Sequence, residues 1–144
     1  GFRRVRDWNA DLTRDYLALE QLRLDAPLRV VADLPQDLLA SRIPPFTLQP
    51  LAENAVRHGM APGCAGLEIR FRARAVDGGL ELEVRDDGAG ASAETLAAEG
   101  GTGLKDLRAR LAAQLGEAAR VEIDTAPGKG FRVTLTLPVG EEVP

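Results

Sequence analysis

Three stretches of this sequence put polar residues and glycines where they could hold a ligand. From Leu80 to Asp86 (LELEVRD) apolar and charged residues alternate. Leu80, Leu82, Val84 and Asp86 therefore share one side of a strand, and Glu81, Glu83, Arg85 and Asp87 the other. The second set is the wet one, so Asp86 turns toward the core at the strand's end. An inward carboxylate is costly unless something hydrogen-bonds to it. Gly88 and Gly90 follow at once and allow a close approach of backbone. An aspartate beside such a slot could accept hydrogen bonds from a flat nitrogen heterocycle, although Asp-Asp-Gly also suits an ordinary turn.

The second stretch reads as a helix from about Phe46 to His58, with Leu48, Leu51, Ala52 and Ala55 as its apolar stripe. At about 100° per residue, Asn54 and His58 sit together along one border of that stripe, Arg57 lies near them, and Glu53 points to the opposite flank. An amide oxygen is a hard ligand suited to Mg²⁺, and a guanidinium suits phosphate, so this border could face a polyphosphate and its metal. An amphipathic helix with a plain polar margin has the same pattern. The third stretch, Gly100-Gly101-Thr102-Gly103-Leu104, runs glycines into the start of a helix. First-turn amides favour anions and glycines let phosphate oxygens come near, but a flexible connection reads the same way. It is neither a P-loop, which needs Gly-Lys-Ser or Gly-Lys-Thr, nor a dinucleotide fingerprint, since no parallel strand leads straight into it.

These stretches need elements to hold them. Trp8 to Leu24 is expected as a helix, with Trp8, Leu12, Tyr16 and Leu19 at helical spacing. Leu28 to Leu34 reads as a strand. Pro44 and Pro45 open the helix that carries Asn54. Leu67 to Ala75 alternates like Leu80 to Asp86, and Asp77-Gly78-Gly79 between them predicts a hairpin. Gly88 to Gly103 reads as a loop around a short helical turn. Leu104 to Leu115 is a helix with Leu104, Leu107, Leu111 and Leu115 on one stripe, stopped by Gly116. Arg120 to Thr125 and Phe131 to Leu137 make a last hairpin around Pro127-Gly128-Lys129-Gly130. Clean alternation leaves one sheet face solvated and gives the other to the helices. The expected fold is α/β, a two-layer sandwich with a mixed, largely antiparallel sheet.

The 144 residues suit one core, with 44% apolar and 28% charged residues. A formal net charge of −4, from 18 basic and 22 acidic residues, argues against a nucleic-acid partner, which requires a concentrated positive field. The one cysteine, Cys64, excludes an internal disulfide and fits a reducing compartment. No apolar run approaches the roughly 20 residues that span a bilayer. No leader is visible, and an anchor upstream of Gly1 stays compatible with the sequence.

The order of the motifs says more than each alone. Leu51-Ala52-Glu53-Asn54-Ala55-Val56-Arg57-His58-Gly59, Asp86-Asp87-Gly88-Ala89-Gly90, Gly101-Thr102-Gly103-Leu104 and Gly128-Lys129-Gly130 follow one another along the chain. This order resembles the N, G1, G2 and G3 boxes of the superfamily that includes gyrase, Hsp90, histidine kinases and MutL. The resemblance covers roughly residues 28 to 138, and it looks nearest to the LytS-like sensor histidine kinases that pair with LytTR-type response regulators. Their motif P-P-x-x-L-Q-P-L-x-E-N-A-x-x-H-G is matched from Pro44 to Gly59, and G-x-G-L-x-x-x-x-x-R-L from Gly101 to Leu111. Residues 16 to 23 (YLALEQLR) resemble the end of their dimerisation helices.

The resemblance implies a Bergerat-type fold that binds Mg²⁺-ATP and transfers its γ-phosphate to a histidine. Asp86 would accept from the adenine amino group, and Gly88 and Gly90 would line the base pocket. Asn54 would ligate Mg²⁺. Arg57 stands where many kinases have lysine and would contact phosphate. Gly101, Thr102 and Gly103 would cradle phosphates, with Leu104 and Gly130 also at the nucleotide, His58 at the edge of the site, and residues 91 to 100 as a lid. Glu53 is a candidate for polarising the attacking nucleophile. Residues 1–25 would end the dimerisation and phosphotransfer helix and 26–144 would form the catalytic domain, on the cytoplasmic side of a membrane-anchored homodimer. Its partners would be the phosphoacceptor helices and a response regulator. Phe131 departs from the family, which often has threonine after the last G3 glycine. Thr134 has the wrong strand parity to replace it, so the departure implies weaker nucleotide binding. The acceptor histidine is absent, because the one histidine, His58, falls inside the N box. The rival readings are a serine kinase of the anti-sigma type, a gyrase- or MutL-type ATPase with a glutamate activating water, and a degenerate binding module.

Overall fold

In the computed structural model of the chain, residues 3–4, 13–23, 27–38, 42–43, 47–59, 66–94 and 102–138 are described. Strands β1 (Arg3–Arg4) and β3 (Arg42–Ile43) form a small antiparallel pair of their own. The main sheet contains β2 (Leu28–Asp33), β4 (Leu67–Val76), β5 (Gly79–Asp86), β6 (Arg120–Thr125) and β7 (Phe131–Leu137), in the order β2-β4-β5-β7-β6. Only the β2–β4 pairing among these is parallel; β4–β5, β5–β7 and β6–β7 are antiparallel. Helices α1 (Thr13–Arg23), α2 (Leu48–Gly59) and α3 (Thr102–Leu115) complete the fold, which is the expected α/β sandwich.

Period-two patterning decides which sheet face is covered. Leu67, Ile69, Phe71 and Ala73 of β4, Leu80, Leu82 and Val84 of β5, and Phe131, Val133, Leu135 and Leu137 of β7 are all buried. Helix α2 lays Leu48, Leu51, Ala52, Ala55 and Val56 on that face, and α3 adds Leu104, Leu107 and Leu111. Burying such a leucine is worth roughly 1.5–3 kcal/mol, so the aliphatic stripes of the two helices carry much of the stability.

Boundaries follow local chemistry. Helix α2 begins at Leu48, and Pro50 falls in its first turn, where an amide would have no intrahelical acceptor. The residues from Pro44 to Phe46, expected to open it, lie outside the described set. Helix α3 starts at Thr102, two residues before the expected Leu104, and runs to Leu115, with Gly116 beyond it at φ 77°. Helix α1 differs from its expected stripe. Leu17 is buried against the core, whereas Leu19 is 66% exposed. Leu19 lies about 200° round the helix from Leu17, so packing α1 on α2 through Leu17 turns Leu19 outward. Trp8 and Leu12 are outside the described residues. The backbone N–H of Leu28 donates to Gln21 Oε1 and ties α1 to the first strand of the main sheet.

Candidate functional site

Asp86 ends β5 on its core side, as the alternation predicts, and is 5% exposed. The Gly88 amide donates to its Oδ1 at 2.8 Å, while Oδ2 is buried without a hydrogen-bond partner among the described residues. Burial pushes this carboxyl up to about 6; the Gly88 N–H draws it back down and the charge of Asp87 raises it further. Asp87 faces the other way and accepts the Glu68 amide at 2.8 Å, which pins the end of β5 to β4.

Helix α2 brings a second buried acceptor. Asn54 is 2% exposed and its Oδ1 has no hydrogen-bond partner among the described residues; His58, one turn on, is 8% exposed. Both lie within the buried face of α2 rather than along its border. Arg57 and Glu53 are exposed, off the buried face that carries Asn54 and His58, and Arg57 lies about 60° round the helix from Asn54. Glu53 accepts the Gln49 amide at 3.2 Å.

The end of α2 is drawn onto the end of β5. A Cβ on Gly88 would collide with the backbone of Gly59, and a Cβ on Gly59 would lie 3.3 Å from Asp86 Oδ1. Glycine at both positions is what lets the helix end sit on the strand end. The His58 ring stacks on Phe131, with centroids 5.2 Å apart and planes at 16°. Phe131 is the β7 register partner of Asp86 and is itself buried. Its ring therefore fills the core under His58, which accounts for an aromatic at this position. Thr134, on the opposite parity, is half-buried.

The turn between β6 and β7 closes the site from the far side. Gly130 has φ 71°, and any Cβ there would strike the Asp86 carbonyl. Thr125 Oγ1 donates to Gly130 O at 2.7 Å and accepts the Ala91 amide at 3.0 Å. The Gly128 amide donates to Ala89 O at 2.7 Å, and Gly90 packs against the carbonyls of Ala126 and Gly130. Sequence reasoning missed Thr125. Its one signal was a hydroxyl at a strand end directly opposite Phe131. Thr102 and Gly103 form the first turn of α3, whose amides have no intrahelical acceptor, and Leu104 is buried. Gly101 and residues 95 to 100 of the expected lid lie outside the described residues; Ala93 and Glu94 are helical. Among the described residues no cluster of three or more His, Cys, Asp or Glu is arranged for a metal ion. The hard donor present is the unpartnered Asn54 Oδ1, and a neutral amide oxygen fits Mg²⁺ that takes its remaining ligands from phosphate and water.

The sequence profile of the histidine kinase-, DNA gyrase B- and HSP90-like ATPases matches residues 46–141. The chain belongs to this ATPase family. Among curated members it is 32% identical to the sensor histidine kinase YesM of Bacillus subtilis over 136 residues, covering 93% of this chain and 24% of that protein. It is 31% identical to the sensor protein LytS of Bacillus anthracis over 139 residues, covering 88% and 24%. This ATPase domain thus spans about a quarter of the length of these relatives. The ATPase-family fold recurs in the histidine kinase domain of the Erythrobacter litoralis EL346 blue-light activated histidine kinase, with TM-score 0.71, 19% identity and coverage of 94% of this chain and 61% of that one. It recurs in the catalytic domain of histidine kinase ThkA, with TM-score 0.69, 14% identity and 97% of both chains covered. Among the described residues of the ATPase domain, no helix is long and apolar enough to cross a membrane.

Proposed function

We propose that the chain is the Mg²⁺-ATP-binding catalytic domain of a two-component sensor histidine kinase. The observation that carries this reading is the pair of buried acceptors, Asn54 Oδ1 and Asp86 Oδ2, each without a hydrogen-bond partner among the described residues. A buried orphan acceptor costs about 1–3 kcal/mol, so two of them favour a ligand that supplies a donor to one and a cation to the other. Asp86 accepts the adenine amino group, with Gly88, Gly90 and Gly130 giving the base room. Asn54 holds Mg²⁺, which neutralises phosphate charge during transfer. Gly101, together with the first-turn amides of α3 from Thr102 to Leu104, receives phosphate oxygens, and Arg57 reaches them from the rim of α2. His58 braces the floor of the site through Phe131.

The domain's task is then to fix the γ-phosphate in line with an imidazole from elsewhere, since phosphoryl transfer is governed by positioning and charge stabilisation. That imidazole belongs to a separate, upstream helical segment, of which residues 1–25 form the end, with residues 26–144 as the catalytic domain. Leu19 and Leu22 of α1, both strongly exposed, support a partner helix there. A cognate response regulator, of the LytTR type, receives the phosphate, and the full-length protein is a homodimer whose catalytic part faces the cytoplasm from a membrane anchor.

Titration of the 144-residue chain with a fluorescent ATP analogue, with and without Mg²⁺, tests the reading. Binding strengthened by Mg²⁺, without autophosphorylation, is expected. Phosphate transfer appears once a helical bundle bearing the acceptor histidine is added. Rapid ATP hydrolysis with no transfer would point instead to a gyrase- or MutL-type ATPase.

A further inference from the structure

Backbone meets backbone where the chain beyond β5 lies on the turn between β6 and β7. The Gly128 amide donates to Ala89 O at 2.7 Å. A Cβ on Gly90 would strike the carbonyls of Ala126 and Gly130, and one on Gly130 would strike the Asp86 carbonyl. Thr125, half-buried at the end of β6, adds a side chain to this join. A hydroxyl has one proton to give, and that of Thr125 goes to Gly130 O at 2.7 Å. A lone pair remains for the Ala91 amide, which donates to it at 3.0 Å. Gly130 and Ala91 are both buried, so water is a poor substitute for either bond. A hydroxyl that served only the β6–β7 turn would be spent on Gly130 O. The second bond reaches out of that turn, to the segment that holds the buried carboxylate.

We infer that Thr125 is a positioning residue for base recognition, fixing through Ala91 and Gly88 the orientation in which Asp86 meets the amino group of adenine. The inference rests on the adenine reading of Asp86 given above. The Gly88 amide holds Asp86 Oδ1 at 2.8 Å and so sets the rotation of the carboxylate. Gly88 is hemmed in by the backbone of Gly59, where a Cβ would collide. Beyond it the next fixed points are Ala89, held by Gly128, and Ala91, held by Thr125. Freeing Ala91 loosens the short segment that aims the carboxylate. It leaves the Asn54 side of the site alone, because Asn54 stands on α2. Loss of the Thr125 hydroxyl therefore costs discrimination between bases, not the contribution of the metal.

The test is competition of ATP and of inosine triphosphate against a fluorescent ATP analogue on the 144-residue chain, in mildly alkaline buffer where Asp86 is ionised. Inosine carries an oxygen where adenosine carries the amino group, so it offers Asp86 an acceptor in place of a donor. The parent should favour ATP about tenfold or more. Thr125→Val keeps the side-chain shape and removes the hydroxyl; it should lower that preference about fivefold and leave the Mg²⁺ enhancement of ATP affinity unchanged. Thr125→Ser, which keeps the hydroxyl, should keep the preference. Leu137→Val, buried at the far end of β7, is the destabilised control and should discriminate as the parent does. In the parent without nucleotide, the Ala91 amide should exchange with deuterium about a hundredfold more slowly than unstructured backbone. The inference is overturned if Thr125→Val keeps the full preference, if Thr125→Ser loses it, if Leu137→Val loses it as well, or if the Ala91 amide exchanges freely. A parent that binds both nucleotides equally while Ala91 stays protected removes the adenine contact itself, and the role of Thr125 falls with it.

Discussion

Phe131 stands opposite Asp86 in the β5–β7 register and carries the His58 ring on its face, so the residue after the last glycine of the β6–β7 turn fixes the floor beneath the buried carboxylate. Truncating that floor, Phe131→Ala, should cost about 3–5 kcal/mol of folding stability. Phe131→Leu, which keeps most of the volume, should cost less and leave nucleotide binding within a few-fold. Thermal melts and analogue titration on the two variants read this directly.

Asp86→Asn should separate stability from binding. Replacing the buried charge with an amide of the same shape should raise the melting temperature near neutral pH while lowering affinity for the ATP analogue about tenfold or more. A variant that loses stability and keeps its affinity would contradict the assignment of the adenine contact.

The raised carboxyl also sets a pH dependence. In the unfolded chain Asp86 loses its proton near the ordinary carboxylate value of 3.8, but in the folded chain at about 6. Between about pH 4 and 6 the native state holds a proton that the unfolded state has released. The contribution of Asp86 to stability therefore falls as pH rises through that window and is restored as pH drops. The full swing is roughly 3 kcal/mol. Affinity for the nucleotide should run the other way, weakening below about pH 6 as the carboxylate acceptor is protonated. Denaturation across this range should be flatter in Asp86→Asn than in the parent chain.

Asn54→Ala should reduce the Mg²⁺-dependent part of nucleotide affinity about tenfold, about 1.4 kcal/mol, and leave affinity in EDTA nearly unchanged. Because Oδ1 has no hydrogen-bond partner among the described residues, the variant loses none there through that atom and should keep its fold. Equal Mg²⁺ enhancement in variant and parent, measured by titration, would remove Asn54 from the metal.

Gly88→Ala drives a methyl group into the backbone of Gly59. Neither the helix end nor the strand end can yield without moving an acceptor, so a loss of about 1–3 kcal/mol is expected together with loss of binding. Gly78→Ala meets open space and only the backbone strain of φ 72°, so it should spare binding, which gives the comparison in the same assays.

Much of this was readable in the sequence because it follows from period. The alternation from Leu80 to Asp86 fixed the inward turn of the carboxylate, and the final hairpin has the residue limits that alternation implied. The α3 stripe of Leu104, Leu107 and Leu111 is buried as spaced. Helix α1 resisted the same reading because leucines occur on several sides of it: Leu17, Leu19 and Leu22 offer no single stripe, and only packing on α2 selects Leu17. The depth of Asn54 and His58 was likewise set by the sheet beneath α2, not by the helix itself. The stack of His58 on Phe131, the contact of Gly59 with Gly88 and the Thr125 clamp join residues far apart in sequence, where no local pattern reports them.

One last consequence follows from β2 and β4 being parallel neighbours. Parallel strands need a crossover, and α2 is that crossover. The helix bearing Asn54 is thus tethered fore and aft to a single edge of the sheet, like a jaw bolted to its frame.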